Sequence, residues 1–210
     1  MKLAVIGSGN IGKSIGAWAS QVGYEVIFSS KNLEHAKDAA RVAGKNSKAD
    51  NIHEAVAQAD LVLLSVPYIA VKEVLSGIGS LVNGKTLIDV TNALSSDYTS
   101  LAVGYTTSAA EEIQKLVPGA KVVKAFNTIF AQVYASQNPG IKGNKVSVFY
   151  AGDDNDSKSK VADLISKMGF DAVDSGPLKS ARILEPLALL NISLGYSLGH
   201  GTLIGFSFLR

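Results

Sequence analysis

The chain has no cysteine. That removes disulfides, thiolate catalysis, iron–sulfur clusters and zinc–thiolate sites together. Its histidines are His35, His53 and His200, and no metal-ligand cluster is apparent around them or elsewhere. Basic residues form no patch: 20 Lys and Arg stand scattered against 18 Asp and Glu, for a net charge of +2, so a nucleic-acid partner is not suggested. The first apolar run is too short for a signal peptide and ends in a glycine loop, which is compatible with a cytoplasmic protein. Asp, Glu, Lys and Arg are absent from Pro186 to Leu209. By length this stretch could span a bilayer, and Gly195/Gly199 and Gly201/Gly205 have the small-xxx-small spacing of membrane helices. Asn191, Ser193, Ser197, His200 and Ser207 interrupt it, however, and Pro186 opens it. The expectation is no membrane span but a buried helix and terminal segment, packed on the core or on a second subunit. Pro186 should lie near the helix start or mark a kink.

What is present is concentrated at the N-terminus. Lys2 to Ile6 read as a buried strand, and Gly7-Ser8-Gly9-Asn10-Ile11-Gly12 follow without a gap. An amphipathic helix comes next, Ile11 to Val22, with Ile15 and Trp18 on one face. A strand, a Gly-x-Gly-x-x-Gly loop and a helix in this order form a dinucleotide-binding fingerprint. Gly7 permits the tight turn, Gly9 leaves room for a pyrophosphate, and Gly12 lets the helix pack closely, so that free N–H groups face the phosphates. About twenty residues further on, an NAD enzyme usually ends its second strand with an acid that holds the ribose 2′-hydroxyl. Here Tyr24 to Phe28 run into Ser29-Ser30-Lys31-Asn32. Two hydroxyls and an ammonium suit a 2′-phosphate, and no acid repels it, so the expected cofactor is NADP. Ser30 or Asn32 can also cap the next helix.

Strand-like runs at 61–66, 86–90, 121–126, 146–150 and 170–174 alternate with helical patterns at 33–42, 52–57, 69–78, 108–116 and 157–168. Ser108 with Glu111 matches a capping box. Continuous Val/Ile/Leu strands separated by helices predict an α/β protein: a Rossmann-like NAD(P)-binding domain, its sheet mostly parallel, with helices on both faces. Residues 1–177 form the nucleotide-binding part, and 178–210 a C-terminal helical, dimerisation segment of the same domain. Asp153-Asp154-Asn155-Asp156 resemble a metal site but open a helix, so capping is expected.

Ligands of such a sheet lie at the carboxyl ends of its strands. Those ends supply the candidate cofactor-binding set: Gly7, Ser8, Gly9, Asn10, Ile11 and Gly12; Ser29, Ser30 and Lys31; Ser65, Val66 and Pro67; Asn92; and Asn127. The candidate catalytic pair is Asn127 and Thr128, whose amide and hydroxyl can meet a carboxamide or an acceptor. Reduction of a ketone or imine usually employs a proton donor. His35 and His53 fall on surface helices, His200 lies in the glycine-rich tail, and Lys124 sits inside a strand pattern. A flavin or deazaflavin takes hydride directly and needs little help from an acid.

Taken together, the chain resembles the compact NADP-dependent reductases of the deazaflavin coenzyme F420 over nearly its whole length. The segments that carry the resemblance are 2–12, Ser29-Ser30-Lys31, Val66-Pro67, Asp89-Val90-Thr91-Asn92, 122–128 and Leu184-Glu185-Pro186-Leu187-Ala188. It implies a single Rossmann-like domain, a homodimer built partly with the C-terminal helices, and hydride exchange between NADP and a deazaflavin. Ser30 and Lys31 would hold the 2′-phosphate, and the turn from Asn127 to Phe130 would border nicotinamide and acceptor. The chain departs from the archaeal enzymes at Asn127, where they carry His. Residues 124–131 are more similar to the cytosolic reductase domain of six-transmembrane ferric reductases. Pyrroline-5-carboxylate reductases and β-hydroxyacid dehydrogenases share the first strand, loop and helix but add a long helical domain. Only about 35 residues follow the last strand here, too few for one. The alternatives are therefore a small carbonyl or imine reductase and a non-catalytic NADPH sensor.

Overall fold

A computed structural model describes residues 1–44 and 46–210. Its centre is an eight-stranded sheet in the order β10-β9-β6-β5-β4-β1-β2-β3. The strands are β1 (Lys2–Ile6), β2 (Glu25–Ser29), β3 (Ser47–Ala49), β4 (Leu61–Leu64), β5 (Thr86–Asp89), β6 (Lys121–Ala125), β9 (Ser147–Gly152) and β10 (Asp171–Asp174). Every pair is parallel except β6 with β9. The helices α1 (Asn10–Gln21), α2 (Leu33–Ala43), α3 (Ile52–Gln58), α4 (Tyr68–Ile78), α5 (Ala109–Leu116) and α7 (Asn155–Lys167) connect strands of this sheet. Each strand of the sequence reading is present to within two residues.

The central strands are largely apolar because both faces are covered. Leu3 and Val5 belong to one core cluster with Ile15, Trp18 and Phe28, whereas Ala4 and Ile6 belong to a second with Val62, Leu64 and Leu87. Successive residues of a strand point to opposite faces, so a two-sided core needs no alternation with polar residues. The helices start where the sequence supplies caps. Asn32, Asn51, Ser108 and Asp154 each accept a backbone N–H at the first turn of α2, α3, α5 and α7. The Asp153–Asp156 cluster is thus spent on structure, with Asp153 accepting from Leu178 N at 2.9 Å.

Between β6 and β9 the chain forms a short helix, α6 (Ala131–Ser136), and a two-stranded hairpin, β7 (Gly140–Ile141) with β8 (Asn144–Lys145). This excursion reverses the chain, and β9 therefore enters the sheet antiparallel. Neither β3, the hairpin nor α6 was legible in the sequence, since runs of two to six residues carry too little periodicity.

The C-terminal segment is helical only in part. Helix α8 (Ala181–Ile192) continues into a π turn over Ser193–Ser197, and residues 198–210 are irregular. Pro186 is not at the helix start but inside α8, past its first turn. The tail runs back along β9, where Ser147 N donates to Phe206 O at 2.9 Å. Its face is apolar and exposed, including Leu198, Leu203 and Leu209. Among the described residues, no helix is long and apolar enough to cross a membrane.

Candidate active site

The glycine loop has the geometry that its residues call for. Gly7 has φ +99°, and a Cβ there would strike the carbonyl of Ser65. A Cβ on Gly12 would strike Gly7 O and come within 3.1 Å of Ser65 Oγ and Cβ, so this glycine is what lets α1 close onto the loop. Gly9 faces open space. It is the N-cap of α1 and supplies no side-chain bond, and the first turn carries no acid. The first backbone donor with a helical acceptor is Lys13 N, to Gly9 O at 2.9 Å. The N–H groups before it are left for a ligand, with the positive end of the helix dipole behind them. A pyrophosphate fits this cradle, and Ser8 Oγ, buried without a partner, lies in the same turn.

At the end of β2 the three polar residues separate. Ser29 is buried, and its carbonyl accepts Gly7 N–H at 2.8 Å, which ties the second strand to the loop. Ser30 is half-buried and Lys31 exposed. Asn32 is the cap of α2, accepting from Glu34 N at 3.0 Å. The groups free to meet a 2′-phosphate are thus Ser30 and Lys31, while Ser29 and Asn32 hold the backbone.

Two adjoining cavities lie beyond the loop. The smaller, about 260 Å³, gathers Gly9, Asn10 and Ile11 with Ser65, Val66, Pro67 and Asn92. The larger, about 660 Å³, shares Asn10, Ile11 and Asn92 and continues over Asn127 and Thr128 to α8 and Tyr196. That volume lies inside the range of small-ligand sites. Gly7, Ser8, Gly12, Ser29, Ser30 and Lys31 line neither cavity.

The floor of the larger cavity is rigid. Asn127 Nδ2 donates to Asn92 Oδ1 at 3.1 Å and to Leu184 O at 3.0 Å, and Asn92 Nδ2 donates back to Asn127 O at 3.0 Å. Both amide hydrogens of Asn127 are therefore committed. Its Oδ1, and Oγ1 of Thr128, are buried without partners. Asn127 can accept a hydrogen bond from a ligand but has none left to donate. Phe126 just before it has φ +64°, unusual for a bulky residue, and Tyr134 Oη donates to its carbonyl at 2.9 Å. That turn aims Asn127 across the strand ends.

Neither proton donor considered from the sequence reaches this floor. Lys124 lies within β6 and is completely buried, pairing with Asp89 and Glu185 at 2.8 Å each and donating to Thr91 O at 2.6 Å. Burial works against its charge, but the two carboxylates outweigh it and hold the lysine pKa above its usual value. Glu185 in turn accepts from Ala109 N and Ala110 N at the start of α5. Lys124 is thus a structural cation. His200 is exposed in the tail and lines neither cavity, and His35 and His53 lie on exposed faces of α2 and α3.

The walls of the cavity were missed in the sequence. Asp97, Tyr98 and Thr99 bring in the loop after β5, and Ala188, Asn191 and Tyr196 bring in α8 and its π turn. Asn191 fastens α8 there by donating to Thr128 O at 3.0 Å. One signal was available: a lone asparagine inside an uncharged helical run has to find a buried acceptor.

A mostly parallel sheet in this order, with an uncapped glycine loop at its first strand, defines a Rossmann-type dinucleotide-binding protein. Residues 2–93 match the family model described as NADP oxidoreductase, coenzyme F420-dependent. The F420-dependent NADP reductase of Methanothermobacter thermautotrophicus is 32% identical over 209 residues, covering 92% of this chain and 89% of that one. Metalloreductase STEAP3 of Rattus norvegicus is 31% identical over 194 residues, 90% of this chain but 37% of that one. A solved structure assigned as an F420-dependent NADP reductase, from Arthrobacter sp. FB24, aligns over 100% of both chains with a TM-score of 0.88 and 27% identity. The chain belongs to the coenzyme F420-dependent NADP oxidoreductase family and is an NADP-dependent oxidoreductase.

Proposed function

We propose that this protein transfers hydride between NADP(H) and a flavin- or deazaflavin-type acceptor stacked over the floor formed by Asn127 and Thr128. The glycine loop and the start of α1 hold the pyrophosphate, and Ser30 and Lys31 hold the 2′-phosphate. Asn92 and the strand end at Ser65, Val66 and Pro67 border the ribose and nicotinamide. Asn127 Oδ1 accepts from the carboxamide or from a ring N–H of the acceptor. The bound cofactor supplies the hydride, and water supplies the proton that completes the two-electron reduction. The protein's contribution is proximity and orientation in a partly dry cavity. A homodimer that buries part of residues 187–206 belongs to the same reading.

The observation that carries it is the floor itself: two buried, unpartnered oxygens and, among the described residues that line the cavity, no lysine or histidine. Among the described lining residues the hydroxyls of Thr99, Thr128 and Ser197 are too weakly acidic to serve as acids, and the two phenols, Tyr98 and Tyr196, are exposed. Single-turnover oxidation of NADPH by riboflavin, FMN and coenzyme F420, followed from pH 6 to 8, is the test. A nearly flat profile, retained in Tyr98→Phe and Tyr196→Phe, is expected. A limb of slope one that disappears in either variant would replace this reading with acid-assisted carbonyl or imine reduction.

A further inference from the structure

The charge network of Lys124 and the floor of the larger cavity meet at two points. Lys124 on β6 and Asp89 on β5 are register partners, and both are fully buried together with Glu185. Lys124 Nζ donates to Thr91 O at 2.6 Å, and Thr91 N donates to Asp89 Oδ1 at 2.8 Å. Thr91 is therefore held at both of its backbone polar groups, and its carbonyl shares a peptide plane with the nitrogen of Asn92. On the other side, Lys124 pairs with Glu185 at 2.8 Å. Glu185 also accepts from Ala109 N at 2.9 Å and Ala110 N at 3.2 Å, and its own nitrogen shares a peptide plane with the Leu184 carbonyl. Asn92 Oδ1 and Leu184 O are the two acceptors that take the amide hydrogens of Asn127. Each belongs to the neighbour of a residue that Lys124 grips.

A buried ion pair adds little stability relative to well-packed apolar side chains of the same volume, so three buried charged groups beside a ligand cavity are better explained by what they hold in place. We infer that Lys124 is a positioning residue for hydride transfer: by gripping Thr91 and Glu185 it spaces Asn92 and Leu184 so that both amide hydrogens of Asn127 are bonded and Oδ1 alone is left for a ligand. The inference rests on the proposed role of Asn127. Lys124 lines neither cavity, so its effect passes through that residue. Without the ammonium, Thr91 O loses its donor, and Asp89 and Glu185 repel across the gap that Nζ fills. Thr91 and Glu185 then part, and the amide of Asn127 can no longer reach both acceptors.

The side-chain amide of Asn127 reports this geometry directly. In nitrogen-15 NMR spectra of the cofactor-free protein its resonance is recognised by its loss in Asn127→Ala, and its hydrogens should exchange slowly with water. In Lys124→Met the resonance should move and the exchange quicken about tenfold or more. A double-mutant cycle reads the consequence, as single-turnover oxidation of NADPH by the fastest of riboflavin, FMN and coenzyme F420. Lys124→Met alone should slow hydride transfer about tenfold or more with the Kd for NADPH within several-fold, and should cost nothing further in an Asn127→Ala background. Glu185→Gln keeps the volume but leaves one oxygen where two now accept. It should move the same resonance, and it carries the test if Lys124→Met does not fold. An Asn127 resonance that stays in place in both variants overturns the inference. So does an equal loss of rate with and without Asn127, which makes Lys124 a purely structural group. If Asn127→Ala leaves turnover unchanged, the acceptor is not at this floor and the inference falls with that reading; a moved resonance then shows that the failure lies in the reading and not in the grip of Lys124.

Discussion

In the proposed function two residues, Lys31 and Asn127, carry most of the cofactor and acceptor chemistry, and they would act in opposite ways. Lys31 is exposed and mobile in role: it offers a charge and little shape. Lys31→Asp should abolish or reverse a preference for NADPH over NADH that we expect to be at least about tenfold, since one charge-assisted contact supplies about 1.5 kcal/mol. Titration of the two cofactors against intrinsic fluorescence measures it, and equal dissociation constants in the unmodified protein would remove the assignment. Asn127 offers shape and no charge. Its amide hydrogens are held by Asn92 and Leu184, so only Oδ1 is left without a partner. Asn127→Ala should slow turnover while leaving NADPH affinity within several-fold, because the proposed function places the pyrophosphate and 2′-phosphate elsewhere. A silent substitution would move the acceptor away from this floor.

The elements are joined by one buried charge network. Lys124 on β6 meets Asp89 on β5 and Glu185 on α8, and Glu185 caps the first N–H groups of α5. Removing one partner leaves an uncompensated buried charge, which typically costs about 3–5 kcal/mol. Lys124→Met should lower unfolding stability by that order in urea titrations at pH 7. The sign with pH follows from the raised lysine pKa. The contribution is complete below the usual lysine value of 10.5 and is lost only as pH rises through the higher folded value. The deficit of Lys124→Met should therefore stay constant from pH 7 to 9, and a deficit that vanishes by pH 9 would contradict a charged Lys124. Here the limits of the sequence are plain. The glycine loop, the seven longer strands and the caps at Ser108 and Asp154 were legible, because each follows from local pattern. Lys124 was not: a lysine in a strand looks like an edge or surface residue until two carboxylates, 35 residues before it and 61 after it, are brought to it. The walls around Tyr98 and Tyr196 were hidden for the same reason, since both depend on long-range packing.

For the whole molecule, the exposed apolar face of the C-terminal segment sets the expected assembly. Leu198, Leu203 and Leu209 are each more than half exposed, and a patch of this kind on a lone chain invites association. A homodimer at micromolar concentration is expected in sedimentation velocity, and Leu203→Glu should shift it toward monomer. A monodisperse monomer for the unmodified protein would count against it. The charge network also fixes which parts of the molecule can open. Because α8 is tied to β6 and α5 by the Lys124–Glu185 and Arg182–Glu111 pairs and by the bonds of Glu185 to Ala109 N and Ala110 N, lifting it from the body would leave Lys124 and Asp89 with part of their buried charge uncompensated. Amide hydrogens of 184–192 should then exchange nearly as slowly as those of β6, with or without cofactor. On the proposed reading, the exposed loop from Asp97 to Thr99 is the side of the cavity by which an acceptor would come and go, and α8 is its fixed wall.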